Sequence, residues 1–219
     1  MAGVLHAPPG RAGRLWLHHR LDLARKGADL LEHKLRILRT ERERMALRQQ
    51  RTSTAWQSAS REASTWLLRG LLVGGERSVR LASAPALADV EIVWEQPMGV
   101  RYPAEATCTV PEPDADAPPV GNAALVTARE LHQRALEAAV RQAAVEAAVR
   151  VLEAEERATR RRLRAIADRW IPRLEEALAE VQLELEEEEH ADGVRLRWAA
   201  RRRAGPGSRT AETSEMAGP

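Results

Sequence analysis

Residues 21 to 38 read LDLARKGADLLEHKLRIL, and their apolar side chains recur at alternating steps of three and four residues. The same frame continues as far as Trp66. A 3.5-residue period sustained over this length is typical of the seam of a coiled coil. In this first helix we expect the seam to contain Leu17, Leu21, Ala24, Ala28, Leu31, Leu35 and Leu38.

A second long segment, from residue 122 to 203, repeats the pattern. After Trp170 the frame slips by an insertion of four residues, a stutter that locally unwinds a left-handed supercoil. Pro172 lies at this slip, and because proline removes a backbone donor we expect a bend there. The predicted seam of this segment contains Leu152, Leu163, Ile166, Leu174, Leu178, Val181 and Leu185.

The second helix has two candidate N-caps. Thr127 and Glu130 have the spacing of a capping box, and Asn122 offers an earlier alternative. Pairs of Glu and Arg four residues apart, of which Glu156 and Arg160 are one, predict a solvent-exposed outer face along this helix.

The composition favours long helices over a compact globule. Charged residues make up 30% of the 219 residues, aromatic residues only 3%, and Phe is absent. Cys108 is the single cysteine, which excludes an intramolecular disulfide and suits a reducing cytoplasm. The sequence has no apolar run of roughly 20 residues and no stretch resembling a signal peptide. We therefore expect any association with a membrane to occur through another protein.

These features divide the chain into five segments. They are an irregular arm (1–11), a first coiled-coil helix (12–69), a connecting head rich in Gly and Pro (70–121), a second coiled-coil helix (122–203) and a disordered tail (204–219). The predicted fold is mainly α, a long antiparallel two-helix coiled coil with a small head that contains short β-strands. Three short apolar runs in the head have strand character: Val90 to Trp94, Met98 to Tyr102 and Thr107 to Val110.

No residues combine into a convincing catalytic, cofactor or metal site. The stretch GLLVGGERS at 70–78 has the glycines of a phosphate-binding loop, but Glu76 stands where that loop needs Lys, so a glycine-rich helix end explains it better. His18 and His19 are adjacent on a helix and point to different faces. Cys108 has no activating base nearby in sequence, and a small packed residue is the simpler interpretation.

Both ends of the chain resemble the D subunit of V-type (A-type) rotary ATPases and ATP synthases, the central rotor shaft. The segment LARKGADLLEHKLRIL resembles one family motif, and TRRRLRAIADRWIP resembles the Arg-Arg through Ile-Pro motif near the other end. DGVRLR at 192–197 is similar to the family's Arg-Leu-Lys ending, and the run from Met98 to Pro103 resembles its Met-Gly-Val and Pro stretch. The motif positions of most interest are Gly27, Lys34, Arg161, Arg162, Ile171, Pro172, Arg195 and Leu196.

The resemblance implies a non-catalytic shaft that couples ATP synthesis or hydrolysis in a hexamer of A and B subunits to proton or sodium transport. It further implies that the head binds the F subunit and a connector subunit above the membrane ring. The shaft would then be cytoplasmic and peripheral to the membrane, with no cofactor of its own.

Two other classes of protein fit the same pattern. One is a free-standing coiled-coil scaffold or adaptor. The other is a basic coiled coil that binds nucleic acid, since the sequence pI is about 9.2 and the first helix is rich in Arg. Seam leucines interrupt the basic residues and no groove-reading motif is present, so we do not expect nucleic acid as a partner.

Overall fold

The computed structural model describes residues 7–82, 87–111 and 121–203. The fold is mainly helical, with two long helical segments and a small antiparallel sheet between them in sequence, which confirms the predicted fold class. In chain order the elements are helix α1 (Gly10–Ala82), strand β1 (Asp89–Glu95), a 3₁₀ turn (Pro97–Gly99), strand β2 (Tyr102–Thr109), helix α2 (Ala123–Ala165), a π-helical turn (Ile166–Trp170) and helix α3 (Ile171–Arg203).

The chain divides into two compact units, each with its own apolar cluster. We call Met1–Asp29 together with Arg164–Pro219 the terminal unit, and Leu30–Leu163 the central unit. Both units pair an earlier part of the chain with a later one, so each depends on contacts between residues distant in sequence.

The core of the central unit joins α1, α2 and the hairpin of β1 and β2. Leu38, Leu152 and Tyr102 are fully buried within one cluster. Further along, a second cluster contains Ala63 of α1 with Leu131 and Ala135 of α2. Residue numbers rise along α1 as they fall along α2, so the two helices are antiparallel. Small alanines at these positions leave room for the helices to approach closely.

Two glycines bring α1 against the start of α2. A Cβ atom placed on Gly70 would lie 2.5 Å from Cδ2 of Leu125, and one on Gly74 would lie 2.7 Å from Nδ2 of Asn122. The amide of Asn122 donates to the Gly70 carbonyl oxygen at 3.3 Å, while its Oδ1 accepts the Leu125 N–H at 2.9 Å. Asn122 therefore caps α2 and ties it to α1.

This packing explains where α1 ends. The sequence predicts an end at residue 69 because glycine is read there as a turn former, but α1 runs on to Ala82. Gly70 and Gly74 permit a close helix contact, and a kink interrupts α1 at Gly75, whose φ of 66° and ψ of 175° are not helical. At the other end α1 starts at Gly10, inside the predicted arm, whose residues 1–6 lie outside the described residues.

The other departures from expectation also have local causes. Thr127 is not the cap of α2: it lies inside the helix, and its hydroxyl donates to the Ala123 carbonyl oxygen at 3.3 Å. Of the predicted strand Met98 to Tyr102 only Tyr102 lies in a strand, because Met98 and Gly99 have φ values of 50° and 78° and form a turn. The predicted tail, 204–219, lies outside the described residues.

In the terminal unit, α1 packs against α3. Leu17 and Leu21 form a buried cluster with Leu174 and Leu178, and Ile171 packs against its edge. Salt bridges from Arg11 to Glu189 (3.0 Å) and from Arg25 to Glu175 (2.8 Å) show that the two helices are antiparallel here as well.

At Pro172, where the sequence predicts a bend, the structure has a π-helical turn directly before the proline. Ile171 donates its N–H to the Ile166 carbonyl oxygen, five residues back, instead of four. A wider turn moves the backbone away from the proline ring, which would clash with the carbonyl group four residues earlier in a regular α-helix. The helical path therefore continues through Pro172 without ending.

We expect Gly70→Ala to lower the free energy of unfolding by about 1 kcal/mol, because the clash with Leu125 outweighs the gain in helix propensity. Gly27→Ala is the matched control. A Cβ atom on Gly27 would meet nothing within 4 Å, so this substitution should raise the free energy of unfolding by about 1 kcal/mol. Urea unfolding followed by circular dichroism measures both, and a stabilising Gly70→Ala would contradict the close contact.

Candidate functional site

The predicted seam positions lie mostly in the interior of the two units. In the terminal unit Ala24 and Val181 pack against the leucine cluster, Ala28 and Leu185 are buried, and Ile166 is half-buried. In the central unit Leu35 is buried as well as Leu38 and Leu152, while Leu31 is half-buried and Leu163 is partly exposed. Most of the side chains assigned to the seam are thus buried or half-buried, and their role in a rotating shaft stays a prediction.

A buried carboxylate interrupts the apolar seam of the central unit. Glu156 is only 5% exposed, and its Oε1 accepts from Nε of Arg39 at 3.3 Å and from Nη2 of Arg160 at 2.7 Å. Its Oε2 lies 3.3 Å from Nη1 of Arg42. Two of these arginines belong to α1 and one to α2, so a single carboxylate ties both helices together. We call Glu156 with Arg39, Arg42 and Arg160 the ion layer.

The ion layer corrects one sequence-based interpretation. The four-residue spacing of Glu156 and Arg160 predicts a solvent-exposed pair, and the pair forms, but its carboxylate is buried. The signal that could have located the layer was the heptad frame, since Arg42 and Glu156 both occupy seam positions. Polar residues at isolated seam positions commonly specify register in coiled coils.

Lys34, a family-motif position of the central unit, meets a second carboxylate that the sequence did not single out. Nζ of Lys34 lies 3.1 Å from Oε1 of Glu155, and Nη1 of Arg162 lies 3.8 Å from the same atom. Arg161 is exposed. The side chains of Lys34 and Glu155 are both more than two thirds buried, so this pair is shielded better than a surface ion pair.

Gly27 lies at an open apolar groove of the terminal unit. The groove is lined by Arg20, Leu23, Ala24, Gly27, Ala165, Ile166 and Trp170. Among these lining residues only Arg20 is charged, and its guanidinium group cannot serve as an acid, base or nucleophile in catalysis.

The last turns of α3 are exposed. Arg195 pairs with Asp192 at 3.2 Å within the same helix, and Leu196 is 71% exposed. Trp198 is 58% exposed, and the guanidinium of Arg202 lies 4.1 Å from the centre of its ring. The surface that these side chains present is therefore accessible to another protein.

Two polar anchors hold the hairpin against α1. Arg48 donates through Nη1 to the Ala104 carbonyl oxygen at 3.1 Å and through Nη2 to Oε1 of Glu105 at 2.8 Å. The buried hydroxyl of Tyr102 lies 2.8 Å from Oε2 of Glu95 and 3.3 Å from Oε2 of Glu41. Burial, the hydrogen bond to Glu95 and the charge of Glu41 raise the pKa of the Tyr102 phenol well above its ordinary value of 10.

The residues that could carry chemistry remain dispersed. Among residues 7–82, 87–111 and 121–203, no three His, Cys, Asp or Glu side chains come together as metal ligands. His18 and His19 are exposed, Cys108 is a half-buried free thiol, and the 70–78 stretch belongs to α1 instead of a phosphate-binding loop. None of the helices that the structure describes has a long enough apolar stretch to cross a membrane.

We expect the phenol of Tyr102, the only tyrosine of the chain, to titrate far above pH 10 in the folded protein. Its pKa is higher in the folded chain than in the unfolded chain, so the stability it contributes is complete below about pH 10 and is lost as the pH rises further. Ultraviolet absorbance of tyrosinate measures the titration, with the denatured chain as reference.

Glu95→Gln should lower the pKa of Tyr102, whereas Glu91→Gln on the same strand should leave it unchanged. Titration near pH 10 in the native chain would refute the buried arrangement.

We expect Glu156→Gln to lower the free energy of unfolding by about 2 kcal/mol, because three guanidinium groups lose their shared charge but are partly exposed and can turn to water. Glu153→Gln on the exposed side of α2 is the control and should change stability by less than about 0.5 kcal/mol. Urea denaturation measures both variants, and equal effects would show that the ion layer does not contribute.

Comparison with known proteins agrees with this geometry. The family model for the D subunit of ATP synthase matches residues 15–201, which include most of α1, the hairpin, α2 and nearly all of α3. A search of curated proteins found no match. Because the family match spans most of the 219 residues, the chain belongs to the ATP synthase D-subunit family.

Proposed function

We propose that this chain is the rotor D subunit in the central stalk of a V/A-type rotary ATPase. It would couple ATP synthesis or hydrolysis in a hexamer of A and B subunits to the transport of protons or sodium ions. The observation that carries the proposal is the family match over residues 15–201.

The packing within each unit supports a role in transmitting torque. A shaft must resist sliding of one helix along the other, and side-chain contacts between the helices oppose such sliding. In the central unit Lys34 pairs with Glu155, and Arg42 pairs with Glu156. In the terminal unit Arg25 pairs with Glu175, and leucines of both helices form a buried cluster. Apolar packing and ion pairs thus act together in both antiparallel pairs.

The exposed side chains suit a protein that acts through its surface. Coupling requires that the shaft contact each conformation of the hexamer with a different free energy, because equal contacts would shift no equilibrium. Exposed leucines on α1, such as Leu15 and Leu30, and the exposed end of α3 provide such contacts. Catalysis and ion passage then belong to the partner subunits, and this chain is not itself an enzyme.

The proposed partners follow from this role. The two long helices would meet the A and B subunits, and the hairpin end of the central unit would meet the F subunit and the connector subunit above the membrane ring. The chain would be cytoplasmic and peripheral to the membrane. The residues that set its contacts with partner subunits, directly or through their neighbours, would include Lys34, Arg161, Arg162, Arg195 and Leu196.

Purification of the tagged chain from its native cells, with mass spectrometry of the bound proteins, tests this proposal. Recovery of the A, B and F subunits in fixed proportion supports the rotor assignment. Recovery of the chain alone would favour a free-standing scaffold, and salt-sensitive recovery of nucleic acid would favour the basic coiled-coil alternative. Either of these results would overturn the proposal.

We expect Leu38→Asp to abolish assembly with the A and B subunits. Leu38 is fully buried, and a carboxylate placed there without a partner should cost about 4 kcal/mol or more. Ala55→Asp, at an exposed position of the same helix, is the control and should retain helicity and assembly. Circular dichroism and co-purification measure the two properties. Normal assembly of Leu38→Asp would contradict the packed seam on which the rotor proposal relies.

A further inference from the structure

Strand β1 is exposed along its whole length, although four of its seven residues are large and apolar. All seven residues are exposed, and the four large apolar side chains have exposed fractions between 43% and 55%: Val90, Ile92, Val93 and Trp94. In β2, by contrast, Tyr102, Ala104 and Ala106 are buried. The helices of the central unit therefore cover one strand of the sheet and leave the other uncovered.

The backbone of β1 is also available. The sheet has two strands, so β1 has β2 on one side and no strand on the other among the residues the structure describes. In an antiparallel pair every second residue directs its N–H and C=O groups away from its neighbour. The strand contains no Pro, Lys or Arg, residues that commonly block pairing at an exposed edge. An exposed edge with four large apolar side chains and without Pro, Lys or Arg is a template for another strand.

The charge of β1 indicates which kind of strand would fit. Asp89, Glu91 and Glu95 give it three acidic residues and no basic one. A second copy of this chain, paired antiparallel about Ile92, would place Asp89 opposite Glu95, and like charges directly opposite each other are destabilising. An incoming strand with basic side chains would instead meet opposite charges. Glu95 is already engaged by Tyr102, so Asp89 and Glu91 would carry most of this attraction.

We propose that β1 binds an extended segment of a partner protein by strand addition, and that this segment alternates basic and apolar residues. Backbone hydrogen bonds to the free edge supply affinity, and the acidic residues select the partner by charge. The proposal concerns the recognition chemistry of the hairpin and does not depend on the rotor assignment.

Peptide binding to the purified full-length chain tests the proposal. The probe is a fluorescent peptide of alternating Lys and Val, compared with one of alternating Glu and Val and with a Lys–Val peptide that is N-methylated at alternate residues. We expect the Lys–Val peptide to bind at least about tenfold more tightly than the Glu–Val peptide, because two or more cross-strand pairs change sign. The N-methylated peptide should lose binding, since it lacks the donors needed to pair with the edge. Hydrogen exchange should slow within Asp89–Glu95 when the Lys–Val peptide is bound.

Two variants make the result specific. Glu91→Lys should weaken binding of the Lys–Val peptide by about threefold or more, because one attractive pair becomes repulsive. Glu62→Lys makes the same charge change at an exposed position of α1 and should leave binding unchanged. Equal binding of the methylated peptide would overturn strand addition. Protection of the 89–95 amides by raising the concentration of the chain alone would show instead that β1 pairs with a second copy.

Discussion

Glu156 can lie in the seam of the central unit only because guanidinium groups from α1 and α2 reach its carboxylate. The apolar seam by itself is nearly degenerate, since a shift of α1 by one heptad would again place small or apolar residues against α2. Such a shift would carry Arg39 and Arg42 away and leave a buried charge without two of its partners, at a cost of roughly 3 to 5 kcal/mol. The ion layer therefore favours one register out of several that the leucines alone would allow.

The position of the hairpin depends on this register. Its polar anchors, Glu41 and Arg48, lie about two turns apart on one face of α1, next to the arginines of the ion layer. Tyr102 of the hairpin also packs in the buried cluster that contains Leu152 of α2. Leu152 lies about one helical turn before Glu156. A hairpin held by both helices can keep β2 buried while β1 stays outside the core. The exposure of β1 thus follows from where the helices place β2, and not from a lack of apolar residues in β1.

Features marked by a repeating sequence pattern could be predicted, whereas features fixed by a single contact between distant residues could not. Periodic leucines were enough for two long helices, and alternation was enough for β1. The end of α1 was misplaced because Gly70 looks like a terminator until Leu125 is seen against it. Glu156 occupies a seam position of the heptad frame, but its four-residue spacing from Arg160 predicted a solvent-exposed pair. Arg39 on α1, one partner of that carboxylate, lies 117 residues away in sequence, and no local pattern reports such a contact.

The π-helical turn before Pro172 gives the terminal unit an irregularity that a uniform coiled coil would not have. One helix widens over Ile166–Trp170, whereas α1 beside it remains regular, and the groove at Gly27 lies between them. A Cβ atom at residue 27 would touch nothing in the chain, so packing within the unit does not explain the glycine there. A shaft with identical surfaces on every side could not distinguish the sites of a hexamer around it, because differential contact requires asymmetry. Under the proposed function, the proline that forces the wider turn therefore contributes to coupling by making one side of the terminal unit different from the others.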